Sequence, residues 1–272
     1  MSDGQDPDAA RRSKASLIDA TVPNAARVGD FLYGGRDNFE ADRRAVRSLV
    51  ASAPSVAEIP AAARAFRGRV VKYLAGEAGA RQFLDIGAGM APPGTTHAYA
   101  QAVDPACRIV YVESDPMVLI HAQALIRSAP GGEVSCVEGD ITDAVAIIKG
   151  ASASLDFDRP IVVMLMSALA HVASAAVATT VVSSLMAAVP SGSYLAIYHL
   201  ASDLDPALTK ALKHWNAVAP KPMTLRSRAE LLALVDGLEL VAPGVVPVAE
   251  WGADGGAPGR LVPVYGALAR KP

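Results

Sequence analysis

The chain predicts an α/β fold built on a mostly parallel sheet, and three observations predict it. From Phe83 onward, short apolar runs alternate with longer stretches of helical periodicity, the pattern of strands joined by crossover helices. Residues 81–90, Arg-Gln-Phe-Leu-Asp-Ile-Gly-Ala-Gly-Met, read as a buried strand entering a tight turn. Gly87 and Gly89 carry no Cβ, so that turn can bend sharply and bring its backbone close to a ligand. Acidic residues then recur where three successive strands end: Asp85, Glu113 and Asp140. With 272 residues, 51% hydrophobic and 19% charged, the chain has the size and composition to bury a substantial core.

Taken in order, residues 1–20 form a polar, flexible tail without apolar periodicity. Residues 21–76 form an N-terminal helical cap. Pro23 and Asn24 open its first helix, which carries Val28, Phe31 and Leu32 and stops at Tyr33-Gly34-Gly35, either glycine serving as C-cap. Asp37 or Asn38 can cap the next helix, 39–51. A third, 61–75, can turn Ala62, Ala65, Phe66, Val70, Tyr73 and Leu74 inward. Residues 77–272 carry the sheet. Strands are expected at 82–86, 108–112, 134–137, 160–165 and 193–198, with helices at 95–103, 116–127, 143–149 and 173–188 between them. The run at 160–165 is nearly all apolar and so central. Beyond it lie helices at 206–218 and 228–235, an apolar stretch at 238–246, a glycine-rich insertion at 252–259 and a last strand at 261–268.

Composition narrows the function. A net charge of −2 and a pI near 6.2 lack the electrostatic footprint of a general nucleic-acid binder. The basic row Arg64, Arg67, Arg69 and Lys72 reads as a solvated helix face. No apolar stretch is long enough to span a bilayer, and Met1 to Lys14 carry no signal-peptide core, so a soluble, cytoplasmic protein is expected. Cys107 and Cys136 lack CxxC spacing and read as reduced, buried thiols; no metal cluster is apparent.

In an open parallel sheet, ligands sit beyond the carboxyl ends of the strands. Glu113 lies 26 residues after Gly87, where an acidic residue closing the second strand grips ribose hydroxyls. Asp140 can accept from an adenine amino group while Ile141 packs on the ring. A carboxylate after a strand is more often a helix N-cap, as Asp143 illustrates, but three at successive strand ends point to a nucleoside cofactor. The series Gly87-Ala-Gly-Met-Ala-Pro-Pro-Gly94 lacks the third glycine of a dinucleotide fingerprint, and Pro92 and Pro93 remove N–H donors that a pyrophosphate needs. A phosphate-free linkage between nucleoside and amino acid fits better, as in S-adenosylmethionine.

The segment 83–89, Phe-Leu-Asp-Ile-Gly-Ala-Gly, resembles motif I of the class I S-adenosylmethionine-dependent methyltransferases, with Glu113 and Asp140-Ile141 in the places of the ribose and adenine contacts. More narrowly, the run from Pro23 to Arg43, PNAARVGDFLYGGRDNFEADR, is similar to the N-terminal hallmark of an actinobacterial S-adenosyl methyltransferase family, DUF574. Val110-Tyr-Val-Glu-Ser-Asp-Pro and Leu238-Glu-Leu-Val-Ala-Pro-Gly-Val-Val also fit, over about residues 21–270. Two departures stand: Glu113 where Asp is usual, and Pro92-Pro93 after the glycines.

The resemblance implies a Rossmann-like class I methyltransferase fold, a mostly parallel seven-stranded sheet flanked by helices with an N-terminal helical cap. It implies S-adenosylmethionine as cofactor and a small-molecule acceptor. The cofactor set it implies is Asp85, Ile86, Gly87, Ala88, Gly89, Glu113, Ser114, Asp140, Ile141 and Met166, covered by Tyr33, Gly34, Asp37 and Asn38. On the residues alone, 33–38 reads as a capped turn between helices. Asp85 would hold the methionine ammonium or its water network. His171 and His199, after the fourth and fifth strands, are candidate bases, each also readable as a buried, hydrogen-bonded histidine. Arg36 and Trp251 are candidates for the acceptor pocket. The rival readings are a non-catalytic S-adenosylmethionine-binding regulator and an NAD(P)-dependent reductase. Acceptor, reacting atom and oligomeric state stay open.

Overall fold

A computed structural model describes residues 19–87, 89–90, 94–252 and 262–272. Helices α1 (Ala25–Leu32), α2 (Glu40–Ser52) and α3 (Ile59–Gly76), with a 3₁₀ turn at Pro54–Glu58, precede the sheet. Strands β1 (Gln82–Ile86), β2 (Arg108–Glu113), β3 (Glu133–Glu138), β4 (Val162–Met166) and β5 (Tyr194–Leu200) then alternate with α4 (Thr96–Val103), α5 (Pro116–Leu125), α6 (Ala144–Ala151) and α7 (Ala175–Ala188). The chain closes with α8 (Pro206–Val218), α9 (Arg228–Leu234), β6 (Glu239–Leu240), β7 (Val246–Pro247) and β8 (Val264–Arg270).

The strand order is β3-β2-β1-β4-β5-β8-β6, and β7 also pairs with β8. The first five strands run parallel, whereas β8 is antiparallel to β5, β6 and β7. Strand order reverses between β1 and β4, which opens a crevice at their carboxyl ends. The expected seven-strand path is present with an eighth short strand beside it. The stretch expected as one run at 238–246 is two two-residue strands, separated where Pro243 and Gly244 interrupt the ladder.

Side chains of a strand alternate between faces, and this decides the site. Leu84, Ile86, Val110, Val112, Val163 and Leu165 face a core closed by α6, α7 and α9. Phe83, Ile109, Tyr111, Val162 and Met164 face the other core, closed by α3 and α4. Asp85, two residues after Phe83, is therefore delivered to the α3 side. On α3 the inward stripe is Ala63, Phe66, Arg67, Val70, Val71 and Leu74; Ala65 is exposed and Ala62 and Tyr73 are half-buried. The expected inward side is rotated because the helix packs on the sheet between α4 and β8. Gly266 of β8 makes room for it: a Cβ there would lie 2.6 Å from the Phe66 ring.

The basic row on α3 is not a solvated face. Arg67 is buried. Arg69 donates to the carbonyls of Val248 and Trp251, each at 2.6 Å, and the Arg64 guanidinium lies 4.9 Å from the Tyr33 ring centroid. Cys107 is a buried free thiol, pushed up to about 11 by burial, and Cys136 is a half-buried one. Among the described residues no helix is long and apolar enough to cross a membrane.

Helices α1 and α2 pack mainly on α8, through Val28, Val46, Leu212 and Trp215. Their junctions are held by a polar network. Arg27 and Asp42 form a buried ion pair at 2.8 Å, and Arg27 also donates to the carbonyls of Asp19 and Val22. Asp42 accepts from the amides of Asn24 and Phe39. Asp30 accepts from the amide of Asp37 and the Asn38 side chain, both at 2.8 Å. Gly34, at φ +80°, turns the chain out of α1. Neither Asp37 nor Asn38 caps α2: its N-cap is Phe39, whose amide Asp42 satisfies one turn later.

Candidate active site

At the end of β1, Gly87 and Gly89 adopt φ of +72° and +73°, a region open to glycine and strained for other residues. A Cβ on Gly87 would lie 2.8 Å from that of Ala168, so this turn and the one after β4 meet at van der Waals distance. The Gly87 amide donates to Val112 O, tying the turn to β2, and the Gly89 amide donates to Oε1 of Glu113 at the end of β2. Burial pushes the Glu113 carboxyl up to about 7, against the pull of the Gly89 amide and with a further push from Asp85 and Asp115.

Around this turn opens a cleft of about 650 Å³. Asp115 borders it while capping α5 with Oδ1 and accepting from Asn24 Nδ2 with Oδ2, so the cap is bonded to the sheet at the cleft's edge. On the other side, Asp140 accepts from the Thr142 hydroxyl and amide with Oδ1, bonds that hold its carboxyl below the usual range. Lys221 reaches across to Ser114 Oγ at 3.3 Å.

Beneath the turn lies a buried pair of opposite charges. Asp85 is fully buried and accepts from Thr96 Oγ1 at 2.6 Å. Burial raises its pKa, and Arg67 and Thr96 oppose the rise. Its other oxygen has no hydrogen-bond partner among the described residues, and neither has Nε of Arg67. Burial works against the charge on Arg67, but Asp85 and nearby Tyr198, Tyr33 and Tyr111 more than restore it.

The structure brings together at the cleft Ile86, Gly87, Gly89, Glu113, Ser114, Asp140, Ile141, Met166, Tyr33 and His171. Asp85 sits below it, out of direct contact with the opening. Ala88, Pro92, Pro93 and residues 253–259 of the glycine-rich insertion lie outside the described residues, as do residues 1–18 of the tail. Gly34, Asp37 and Asn38 belong to the Asp30-centred turn rather than to the lining, and Asp37 reaches His121 at 3.8 Å. Arg36 is exposed and does not line the cleft either. Trp251 is in the core, edge-on to Phe66 and Tyr73 at 5.6 and 6.3 Å.

The two histidines separate. His199 is fully buried with Nδ1 on Leu200 O and Nε2 on Arg226, which also donates to the carbonyls of Leu169 and Val172. Burial pushes it down to about 4. With both ring nitrogens engaged, it has no lone pair left for a substrate and serves as a brace between β5 and the loop after β4. His171 instead lines the cleft, and Nδ1 meets Pro222 O at 3.2 Å. A carbonyl accepts only from an N–H, so Nδ1 carries the proton and Nε2 keeps its lone pair. The ring keeps an exposed edge, but desolvation by the surrounding walls, with Lys221 nearby, lowers its pKa and favours this neutral form.

Sequence reasoning missed Arg67, Tyr198, Lys221, Trp215 and Asn24 as cleft residues. For Arg67 a signal existed: it interrupts the apolar stripe Ala63, Phe66, Val70, Leu74, where a cation needs a buried partner.

The Arg67 guanidinium at the cleft wall, the close-approach turn and the acidic residue closing β2 suit a ligand with an amino-acid carboxylate at one end and ribose hydroxyls at the other. S-adenosylmethionine has both. Comparison with known proteins agrees. Residues 11–272 match the family described as S-adenosyl methyltransferase. A DUF574 family protein from Streptomyces avermitilis is 36% identical, with a TM-score of 0.87 over 93% of this chain and 99% of that one. A methyltransferase candidate from Thermobifida fusca is also 36% identical, with a TM-score of 0.85 over 92% and 96%. The mitomycin 7-O-methyltransferase MmcR shares the fold at 18% identity, with a TM-score of 0.53 over 98% of this chain and 76% of that one. No curated protein matches. The chain therefore belongs to the S-adenosyl methyltransferase family, enzymes that take their methyl group from S-adenosylmethionine.

Proposed function

We propose that the protein methylates an oxygen or nitrogen of a small molecule, with His171 taking the acceptor's proton. The observation that carries this is the placement of His171: it borders the same cleft as Glu113 and Gly89, with Nδ1 held by Pro222 and Nε2 left basic. Glu113 would accept from the ribose hydroxyls, Asp140 from the adenine amino group, and Ile141 would pack on the ring. Arg67, at the cleft wall, would meet the carboxylate of the methionine end, while Asp85, buried beneath the turn, would favour the ammonium through its charge rather than by direct contact. When bound, S-adenosylmethionine supplies a methyl on a sulfonium; as the acceptor's lone pair bonds to that carbon, the carbon–sulfur bond breaks and its electrons stay on sulfur. The chain's share is to align the acceptor and hold the proton it loses. Two free thiols support a reducing, cytoplasmic setting, and the small negative net charge supports a small-molecule acceptor over nucleic acid.

Calorimetric titration with S-adenosylmethionine, S-adenosylhomocysteine and NADH tests the cofactor roles. Micromolar binding of the two sulfur ligands, weakened in both Asp85→Ala and Glu113→Ala, is expected, with no heat from NADH. Folded wild-type protein that binds neither sulfur ligand would sink the assignment. For the base, nitrogen NMR of the His171 ring should show Nδ1 protonated and Nε2 bare at neutral pH. The opposite tautomer would remove His171 from the role.

A further inference from the structure

The run from Ala219 to Met223 lines the cleft without belonging to the sheet or to its crossover helices. It is a strap between α8 and the turn after β4. On the α8 side the Ala219 amide donates to Trp215 O, and the Asn216 side chain both donates to Met223 O and accepts from its amide. On the β4 side the Thr224 amide donates to Ala170 O, and Pro222 O accepts from Nδ1 of His171. Lys221 stands between Pro220 and Pro222, whose rings fix φ on either side of it. From there the exposed Lys221 side chain donates through Nζ to Oγ of Ser114, the residue directly after Glu113, at 3.3 Å. Strand β1 lies between β2 and β4, so this side chain crosses the crevice at the end of β1, where the glycine turn sits.

The charges around Glu113 are one-sided. Burial pushes its carboxyl up, Asp85 beneath it and Asp115 at the head of α5 push the same way, and the Cys136 thiol faces it from β3. Against these stand the Gly89 amide and one cation, Lys221. The same ammonium adds to the Thr142 bonds that hold Asp140 down. On His171, burial disfavours the imidazolium, the Pro222 carbonyl favours it, and Lys221 sides with burial. A positive charge at this point therefore favours an ionised carboxyl on one side and a neutral ring on the other. We propose that Lys221 is a positioning residue shared by both halves of the site: reaching from the strap to the end of β2, its ammonium keeps Glu113 ready to accept from the ribose and His171 ready to take the acceptor's proton. It acts through these two side chains, not on the reacting atoms. The proposal rests on the methyltransferase reading for what the two groups do, whereas the hold of Lys221 over them can be measured in the free protein.

The test is NMR titration of the full-length, ligand-free protein at low salt, following the Glu113 carboxyl carbon and the His171 ring nitrogens, with Glu113→Gln and His171→Gln to assign the signals. In Lys221→Gln both groups should hold their proton about two- to fivefold more tightly than in the wild type, an effect limited by the lysine's contact with water. For Glu113 this moves the midpoint upward from about 7. Lys221→Arg keeps the charge and should leave both midpoints in place. High salt should narrow the gap between Lys221→Gln and the wild type, because an exposed charge is screened. Calorimetry with S-adenosylhomocysteine gives the functional readout: Lys221→Gln should bind about two- to fivefold more weakly at pH 6 and nearly as well at pH 8.5, where Glu113 is ionised in both proteins. Either group titrating at its wild-type midpoint in Lys221→Gln, or Lys221→Arg shifting them as far as Lys221→Gln does, would overturn the proposal. So would an equal loss of affinity at both pH values, which would make Lys221 a direct contact. A wild type that binds no S-adenosylhomocysteine would instead count against the cofactor role of Glu113, and the titrations would still decide what Lys221 does to the two groups.

Discussion

Cofactor affinity should depend on pH through Glu113, and the size of the effect follows from its surroundings. Burial holds this carboxyl at about 7, so the free protein carries it largely protonated at pH 6 and largely ionised at pH 8. Two ribose hydroxyls need an ionised acceptor, so binding at pH 6 must first expel a proton. The affinity for S-adenosylhomocysteine should therefore fall about tenfold from pH 8 to pH 6, or about 1.4 kcal/mol. Calorimetry in two buffers of different ionisation enthalpy reads this directly, as close to one proton released per ligand at pH 6 and almost none at pH 8. Glu113→Gln should bind more weakly at pH 8 and lose the slope. The same shift acts on the free chain with the opposite sense. A carboxyl whose folded pKa lies above its unfolded value of 4.5 favours the folded state at low pH and less so as pH rises through 7. Relative to Glu113→Gln, the wild type should lose about 3 kcal/mol of stability across that window. An affinity flat between pH 6 and 8 in the wild type, or an equal slope in the Gln variant, would refute the reasoning.

Three further outcomes are expected. Breaking the Arg27–Asp42 pair by Arg27→Ala or Asp42→Ala leaves one charge buried, which should cost about 3–5 kcal/mol and appear as accelerated hydrogen exchange over residues 19–52 before the sheet opens. Gly87→Ala combines a positive φ with a 2.8 Å approach to Ala168, so it should destabilise the protein by about 1–3 kcal/mol in urea denaturation and also weaken S-adenosylhomocysteine. His199, with its folded pKa depressed to about 4, contributes stability that is lost as pH falls from 6.5 toward 4. Because Glu113 acts in the opposite sense over nearly the same range, the effect is read as a difference: relative to His199→Gln, the wild type should lose about 3 kcal/mol of stability as pH falls from 6.5 to 4.

How much of this was legible in the sequence varied with the range of the interaction involved. Strand and helix positions from β1 to α8 were readable because periodicity and glycine or proline punctuation are local signals; the helix expected at 206–218 is α8, Pro206–Val218. The cleft residues contributed by strand ends, Gly87, Glu113 and Asp140, were readable for the same reason: an acid directly after an apolar run marks the sheet's carboxyl edge. What could not be read was which way a helix faces once several partners compete for it. The row on α3 looked like a solvated basic face because its arginines recur at short spacings. The fold instead buries Arg67 against Asp85 and spends Arg69 on carbonyls 179 and 182 residues away. His171 and His199 were indistinguishable as histidines after strands. Only Arg226 and Pro222, both far along the chain, give one a structural brace and the other a free nitrogen.

The N-terminal segment shows why a distinctive sequence need not be a list of ligand contacts. Helix α1 has eight residues, too few to be stable in water without tertiary support. Its polar residues supply that support. Asn24 caps the helix by accepting from the amides of Ala26 and Arg27, and its side-chain amide donates to Asp115. Arg27 and Asp42 bind α1 to α2 and to the chain preceding it, and Asp30 closes the turn between the helices. A Cβ on Gly35 would lie 1.9 Å from Oδ1 of Asp30, so the second glycine of Tyr33-Gly34-Gly35 clears space for a carboxylate. Of 33–38, Tyr33 alone is a lining residue. The segment therefore acts on the cleft indirectly, by fixing Val28, Leu32 and Tyr33 as one wall and by tying that wall through Asn24 to Asp115, two residues beyond Glu113.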